Sequence, residues 1–197
     1  MTKCVNFIEE FQIDGDICDS LIALHKKGRK LGLVQKGKLG TAEGVAVDKK
    51  KKDSYDLGLV TVPDELAEEY RVPDYFMALQ QCMGDYYDKY PELKKAGACS
   101  IAESPIVQYY KPGGGFKMEH YERTGWETAT RALVFMTYLN DVTEGGGTHF
   151  KYQDLTTTAR RGKTVIWPSD FTHTHAGEVS RSQSKYIITG WFNFIDA

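Results

Sequence analysis

His120-Tyr121-Glu122 sets an imidazole and a carboxylate two positions apart. On an extended strand such residues leave the same face, so both can reach one metal ion. Taken alone, that pairing is common and says little. About fifty residues downstream, Thr172-His173-Thr174-His175 offers a further imidazole from either of two histidines, which on a strand would again share a face. Two imidazoles and one carboxylate on one side of an ion form the facial triad of non-haem iron(II) oxygenases. Such a set holds iron(II) without saturating it, and the vacant positions can take a chelating acid and dioxygen. A closed site of four thiolates could not do this. The four cysteines (Cys4, Cys18, Cys82, Cys99) are in any case far apart, with no CxxC pair. Of the other histidines, His25 reads as a surface or packing residue. His149 reads as a residue bordering a pocket or packing beneath it.

These side chains need elements to carry them. From Asp16 to Leu31, Ile17, Leu21, Leu24 and Leu31 recur at helical spacing, with Asp14 or Asp16 as N-cap. A second helix is predicted to open near Pro73-Asp74, with Phe76, Leu79, Met83, Tyr86 and Tyr90 on one core-facing stripe. Pro91 then ends or bends it. Both helices are expected to pack on the outside of a sheet. The intervening stretch Lys36–Asp56 is rich in Gly, Lys and Asp, and reads as a solvated loop. Its functional reading is a mobile lid or substrate loop. After Ala98 the pattern changes to β-branched and aromatic runs at 106–110, 131–139, 164–167 and 186–194. Gly113-Gly114-Gly115 and Gly145-Gly146-Gly147 punctuate them. The expected fold is mainly β with flanking helices, its core an antiparallel sandwich or jelly roll. One domain is expected over 1–197, with helical support to about residue 97 and the catalytic core from about 98.

Composition bounds the partners. With 41% hydrophobic residues in 197 and a net charge of −2, the chain can bury a core and has no global basic field. Nucleic acid is therefore an unfavoured partner, and the run Lys49-Lys50-Lys51-Lys52 does not overturn that. The stretch Met1 to Phe7 lacks the apolar region of a signal peptide, and no apolar run approaches the roughly 20 residues of a membrane span. A cytoplasmic chain with reduced, mostly buried thiols and no membrane partner is expected.

The segment Tyr110-Lys111-Pro112-Gly113-Gly114-Gly115-Phe116-Lys117-Met118-Glu119-His120-Tyr121-Glu122 resembles the strand–turn–HxD motif of prolyl 4-hydroxylases. Arg131 with Tyr138-Leu139-Asn140 resembles that family's R…YLN strand, and Glu144-Gly145-Gly146-Gly147-Thr148 its EGGET turn. Arg161 to Pro168 is similar to the strand before the distal ligand. His175-Ala176-Gly177, then Lys185, then Trp191 match H…K…W. The resemblance spans about Pro105 to Phe194. It implies that His120, Glu122 and His175 bind iron(II), with His173 the alternative distal ligand. Spacing to Lys185 favours His175. It further implies that Lys185 and Tyr138 bind the distal carboxylate of 2-oxoglutarate, that Tyr110 lines the cosubstrate site nearer the metal, and that Arg131 and Trp191 border the entry of the target residue. Three departures stand out. Glu122 replaces the usual aspartate, Phe116–His120 is one residue longer than the common pattern, which suggests a bulge, and EGGET has become EGGGT.

The implied reaction consumes 2-oxoglutarate and dioxygen, releases succinate and carbon dioxide, and hydroxylates a C–H bond, with ascorbate as reductant. A peptide or protein containing proline is the implied substrate, with Lys36–Asp56 closing over it and Lys49–Lys52 preferring acidic flanks. Hydroxylation of a free amino acid or small metabolite, and oxidative nucleic-acid repair, are rivals within the fold. A cupin-like metal-binding module is the rival from another class. For that, however, His175 and Glu178 stand too close together, and Lys185 would have no role.

Overall fold

In a computed structural model, residues 6–41 and 44–195 are described. In chain order they form β1 (Glu9–Gln12), α1 (Gly15–Lys30), β2 (Gln35–Lys36), β3 (Leu39–Thr41), β4 (Gly44–Ala46), β5 (Tyr55–Gly58), α2 (Asp64–Glu69), α3 (Val72–Lys89) and α4 (Glu92–Ala96). There follow β6 (Cys99–Ser100), β7 (Ile106–Tyr110), β8 (Arg131–Tyr138), β9 (Thr148–Phe150), β10 (Leu155–Thr157), β11 (Lys163–Pro168), β12 (His175–Gly177) and β13 (Lys185–Phe194).

The large sheet runs β1-β11-β8-β13-β7-β5-β2, with β6 paired to the end of β13. Its pairings are antiparallel throughout. A small sheet, β10-β9-β12, faces it, and the two layers make the double-stranded β-helix. Strand parity then sorts the side chains. Along β8, Leu133 and Phe135 enter the core shared with the helices, while Val134, Met136 and Tyr138 enter the core between the sheets. Along β13, Ile188 and Phe192 face the helices, and Lys185, Ile187, Thr189 and Trp191 face inward to a cavity. Gly190 sits where Phe135 crosses β13, and a Cβ there would lie 2.5 Å from the phenyl ring.

The Asp14 carboxylate accepts the Asp16 amide at 2.9 Å and starts α1, satisfying an otherwise unpaired first-turn donor. Ile17, Leu21 and Leu24 of α1, with Tyr75, Leu79, Met83 and Tyr86 of α3, cover the outer face of the large sheet around Leu57, Val107 and Phe135. Leu31, expected on the α1 stripe, is instead 53% exposed, because the helix ends at Lys30 and the chain turns at Gly32. Phe76 and Tyr90 are only partly buried.

The stretch Lys36–Asp56 is not the solvated loop expected. β2 pairs with β5 at the edge of the large sheet, β3 and β4 form a hairpin, and Lys52 is buried against Asp56 at 2.9 Å. Gly37 lets β2 approach this turn, since a Cβ there would stand 2.1 Å from the Ser54 hydroxyl. Cys18 and Cys82 are buried and Cys99 half-buried, all as free thiols, while Cys4 lies outside the described residues. Among the described residues, no helix is long and apolar enough to cross a membrane.

Candidate active site

After β7 the chain turns through Gly113–Gly115 and runs back beside β12. The Phe116 carbonyl accepts the Gly177 amide at 2.8 Å, and His120 and His175 exchange both backbone hydrogen bonds at 2.9 Å each. Four steps along one chain thus oppose two along the other, which is the bulge that the longer Phe116–His120 spacing suggests. His120-Tyr121-Glu122 therefore does not lie in a regular strand. It is a bridge followed by a bend, pinned at two points, by His175 and by the Glu122 amide donating to the Ser169 carbonyl at 3.0 Å. Both side chains nevertheless turn to one point.

There they meet His175. One donor atom from each of His120, Glu122 and His175 lies within 4.8 Å of the others. Glu122 Oε1 stands 3.4 Å from His120 Nε2 and 3.8 Å from His175 Nε2. His120 Nδ1 is 2.9 Å from the Met118 carbonyl and His175 Nδ1 is 2.8 Å from the His173 carbonyl. A carbonyl only accepts, so each Nδ1 carries a proton, and whenever the ring is neutral its Nε2 presents a lone pair. Phe116 stacks on His120 with ring centroids 3.7 Å apart. Burial opposes the charge on Glu122, but the His120 hydrogen bond and the charges of His120, His175 and Arg131 outweigh it and hold the carboxyl at about 2. Burial, helped by His120, pushes His175 down to about 4. At neutral pH the site thus offers an ionised carboxylate and a neutral His175 imidazole, the states that metal ligation requires.

The triad stands in a cavity of about 430 Å³ between the two sheets. Another part of its wall carries Lys185, buried, with Nζ donating to the Gly146 carbonyl at 2.8 Å and standing 3.4 Å from that of Glu178. Burial pulls this amine down to about 8. A three-point metal face and a buried cation in one cavity suit a small chelating acid with a second carboxylate.

Residues 105–193 match the family model of the 2OG-Fe(II) oxygenase superfamily. That stretch is a 2OG-Fe(II) oxygenase domain. The domain implies iron(II), 2-oxoglutarate and dioxygen, and hence a dioxygenase. No curated protein sequence matches the chain. Its fold is that of prolyl hydroxylases. A viral collagen prolyl hydroxylase from Paramecium Bursaria Chlorella virus-1 superposes with a TM-score of 0.64 at 19% identity, over 96% of this chain and 97% of that one. A Pseudomonas putida prolyl-4-hydroxylase gives 0.67 at 13% identity, over 98% and 95%. A Trichoplax adhaerens prolyl hydroxylase in complex with a hypoxia inducible factor peptide fragment gives 0.71 at 14% identity, over 96% and 84%. At such identities the likeness is one of fold.

Within this oxygenase domain, several expected residues stand elsewhere than expected. His173 ends a 3-10 turn, Phe171–His173, which breaks the alternation that would have put it on the face of His175. Its Nε2 is 2.8 Å from the Asn6 carbonyl and its Nδ1 3.0 Å from the Thr172 hydroxyl, away from the triad. His149 pairs with the Thr156 hydroxyl at 3.0 Å outside the cavity lining. His25 is a packing residue, one of the two expected alternatives, buried in α1 with Nε2 2.9 Å from the Tyr55 carbonyl. Tyr138 is fully buried behind the cavity wall, its hydroxyl 2.9 Å from that of Thr148 and 2.7 Å from that of Thr157. Thr148, not Tyr138, lines the cavity. Tyr110 lines it as expected, but its hydroxyl donates to Gln108 at 2.6 Å.

Arg131 and Trp191 also line the oxygenase cavity, yet both serve Glu122. Trp191 Nε1 donates to Glu122 Oε2 at 3.2 Å, and Arg131 Nη1 donates to the Glu122 carbonyl at 3.0 Å. The Arg131 guanidinium lies 3.7 Å over the Trp191 ring and is held by Glu103, whose Oε1 accepts its Nε at 2.7 Å. Tethering Oε2 in this way leaves Oε1 toward the histidines. Sequence reasoning missed Glu103, which is a lone loop acid without a local signal. It also missed Gln108, which strand parity places beside Tyr110 in β7.

Proposed function

We propose that the chain is a prolyl hydroxylase acting on a peptide or protein, with His120, Glu122 and His175 holding iron(II). The observation that carries this reading is the pairing, in one cavity, of that triad with the buried amine of Lys185, which has no carboxylate in ion-pair contact among the described residues. The donor set fits the ion: two imidazoles present Nε2, the carboxylate is ionised, and no fourth protein ligand closes the face among the described residues. Bound there, iron(II) would let dioxygen react with 2-oxoglutarate and pass one oxygen to a substrate C–H bond, leaving succinate and carbon dioxide. The chain's own groups do the positioning. Lys185, with the Thr148 hydroxyl, anchors the distal carboxylate, and Tyr110 and Ile187 wall the cosubstrate. Arg131 and Trp191 fix the Glu122 carboxylate. Phe116, Met118 and Trp167 keep the metal end apolar, so that charges there act in a low dielectric.

Under this reading the helical first half supports a catalytic core within one domain. Ascorbate keeps the iron reduced. Anaerobic iron(II) with 2-oxoglutarate should give a weak visible charge-transfer band that His120→Ala abolishes. Mass spectrometry of proline-containing peptides after turnover should show a gain of one oxygen on proline. Succinate release without any such gain across peptide pools would remove the prolyl assignment and keep the oxygenase.

A further inference from the structure

We infer that the substrate of this site carries an acidic polypeptide stretch beside the reacting residue, received by a strip of cations running from α1 to the cavity mouth. The catalytic meaning of the strip rests on the proposed hydroxylase reading, but its binding does not.

The chain is almost neutral, so a local run of cations does not come from an overall excess. In α1 the first half carries Asp16 and Asp19, both engaged by Arg161. The last turns carry Lys26, Arg29 and Lys30 at positions i, i+3 and i+4 on one side. These three are exposed, and with His25 and Tyr186 they line a shallow groove of about 400 Å³. Tyr55 joins this groove to the sheet edge. The Arg29 guanidinium stands 5.2 Å from its ring centroid on the helix side, and Lys36 Nζ of β2 stands 3.5 Å from the same centroid. Two residues further on, exposed Lys38 lines the catalytic cavity itself. Among the described residues, none of these five cations enters an ion pair.

The helix macrodipole favours a basic last turn, which accounts for part of the α1 charge but not for Lys36 or Lys38. The tetralysine run does not supply the receptor, because Lys51 faces Asp48 at 3.9 Å and Lys52 is buried on Asp56. An acidic peptide suits the strip better than nucleic acid does. Tyr109 packs on Tyr186 and Tyr55 with centroids 4.7 and 6.2 Å apart, and all three are half-buried, so they offer no open faces for stacked bases. The strip is also short, bounded by the acids of α1 at one end and by Glu127 at the cavity rim. A phosphate backbone tracks a longer positive groove.

The test uses the full chain without metal or cosubstrate and a fluorescein-labelled peptide holding one proline flanked by glutamates. The same peptide with serine flanks and a decathymidylate serve as competitors, read by anisotropy. The glutamate peptide should bind roughly tenfold more tightly than the serine peptide, each exposed pair contributing a few-fold at most. That advantage should vanish near 1 M salt, where the Debye length is about 3 Å. Joint Lys26→Glu, Arg29→Glu and Lys30→Glu should remove it, and so should Lys36→Ser with Lys38→Ser, which spares the helix if the first variant fails to fold. Lys49→Glu with Lys50→Glu should leave it intact. Equal binding of the two peptides, no effect of the strip variants, or tighter binding of decathymidylate would each overturn the inference. The iron(II)–2-oxoglutarate band, measured on the same wild-type sample, reports separately on the hydroxylase reading. Its absence beside salt-sensitive peptide binding would sink the reaction and keep the strip.

Discussion

Lys185→Met keeps the aliphatic stem and removes the charge. In the free chain, burial depresses the folded-state pKa from an ordinary 10.5 to about 8. A lysine depressed in this way destabilises the fold at pH values below its folded pKa, and the penalty fades as pH rises from about 8 toward the unfolded value. At neutral pH that penalty is about 3 kcal/mol. Methionine removes it but orphans the carbonyls of Gly146 and Glu178, at about 1–3 kcal/mol each. The two nearly cancel, so the melting temperature should move by only a few degrees. Cosubstrate binding should not cancel. Removing one partner of a buried charge pair costs about 2–5 kcal/mol, which is about 30-fold to several thousand-fold in Kd. The charged amine is the binding form, so wild-type affinity for 2-oxoglutarate should be flat below about pH 8. Above it, affinity should weaken by about tenfold per pH unit. The methionine variant should show no such slope. Calorimetric titration of 2-oxoglutarate into the Mn(II)-loaded protein across this range measures both. A variant within about threefold of wild type, or a wild-type profile with no break, would refute Lys185 as the anchor.

Trp191→Phe removes the donor to Glu122 Oε2 and should weaken Mn(II) binding about 10- to 100-fold with the fold intact. Unchanged affinity would show that the tether is dispensable. Tyr138→Phe should cost about 1–2 kcal/mol in urea unfolding, through its two threonine partners, and leave 2-oxoglutarate affinity unchanged. A large loss of that affinity would return the hydroxyl to the cosubstrate. His173→Ala should lose about 1–3 kcal/mol of stability through the Asn6 contact while keeping Mn(II). His175→Ala should lose the metal altogether, and the reverse pattern would exchange their roles.

Long strands were legible because their patterning is dense. β7, β8, β11 and β13 fall on the β-branched and aromatic runs almost residue for residue. Strands of two or three residues, such as β2, β9 and β12, are too short for periodicity and exist through their pairing partners. The same limit hid the structure in Lys36–Asp56. At the site His120 and Glu122 do converge, though from a bridge and a bend and not from the strand that parity assumed. Parity failed for His173 because a turn intervenes. Tyr138 shows what parity omits. It faces inward beside Val134 and Met136, as alternation requires, but reaches the threonines of β9 and β10 instead of the cavity. Alternation gives the face and not the depth along the barrel.

The two imidazoles stand on residues whose main chains already form a closed ring of two hydrogen bonds. An ion held between them adds a second rung to the same ladder, clasping segments about fifty residues apart as a removable staple. Stripping the ion should therefore loosen the rim of the small sheet first, with the His120 and His175 amides exchanging with deuterium sooner than those of β8. A slip of one residue in that pairing would swing an imidazole to the opposite face, so chelation also acts as a lock on register.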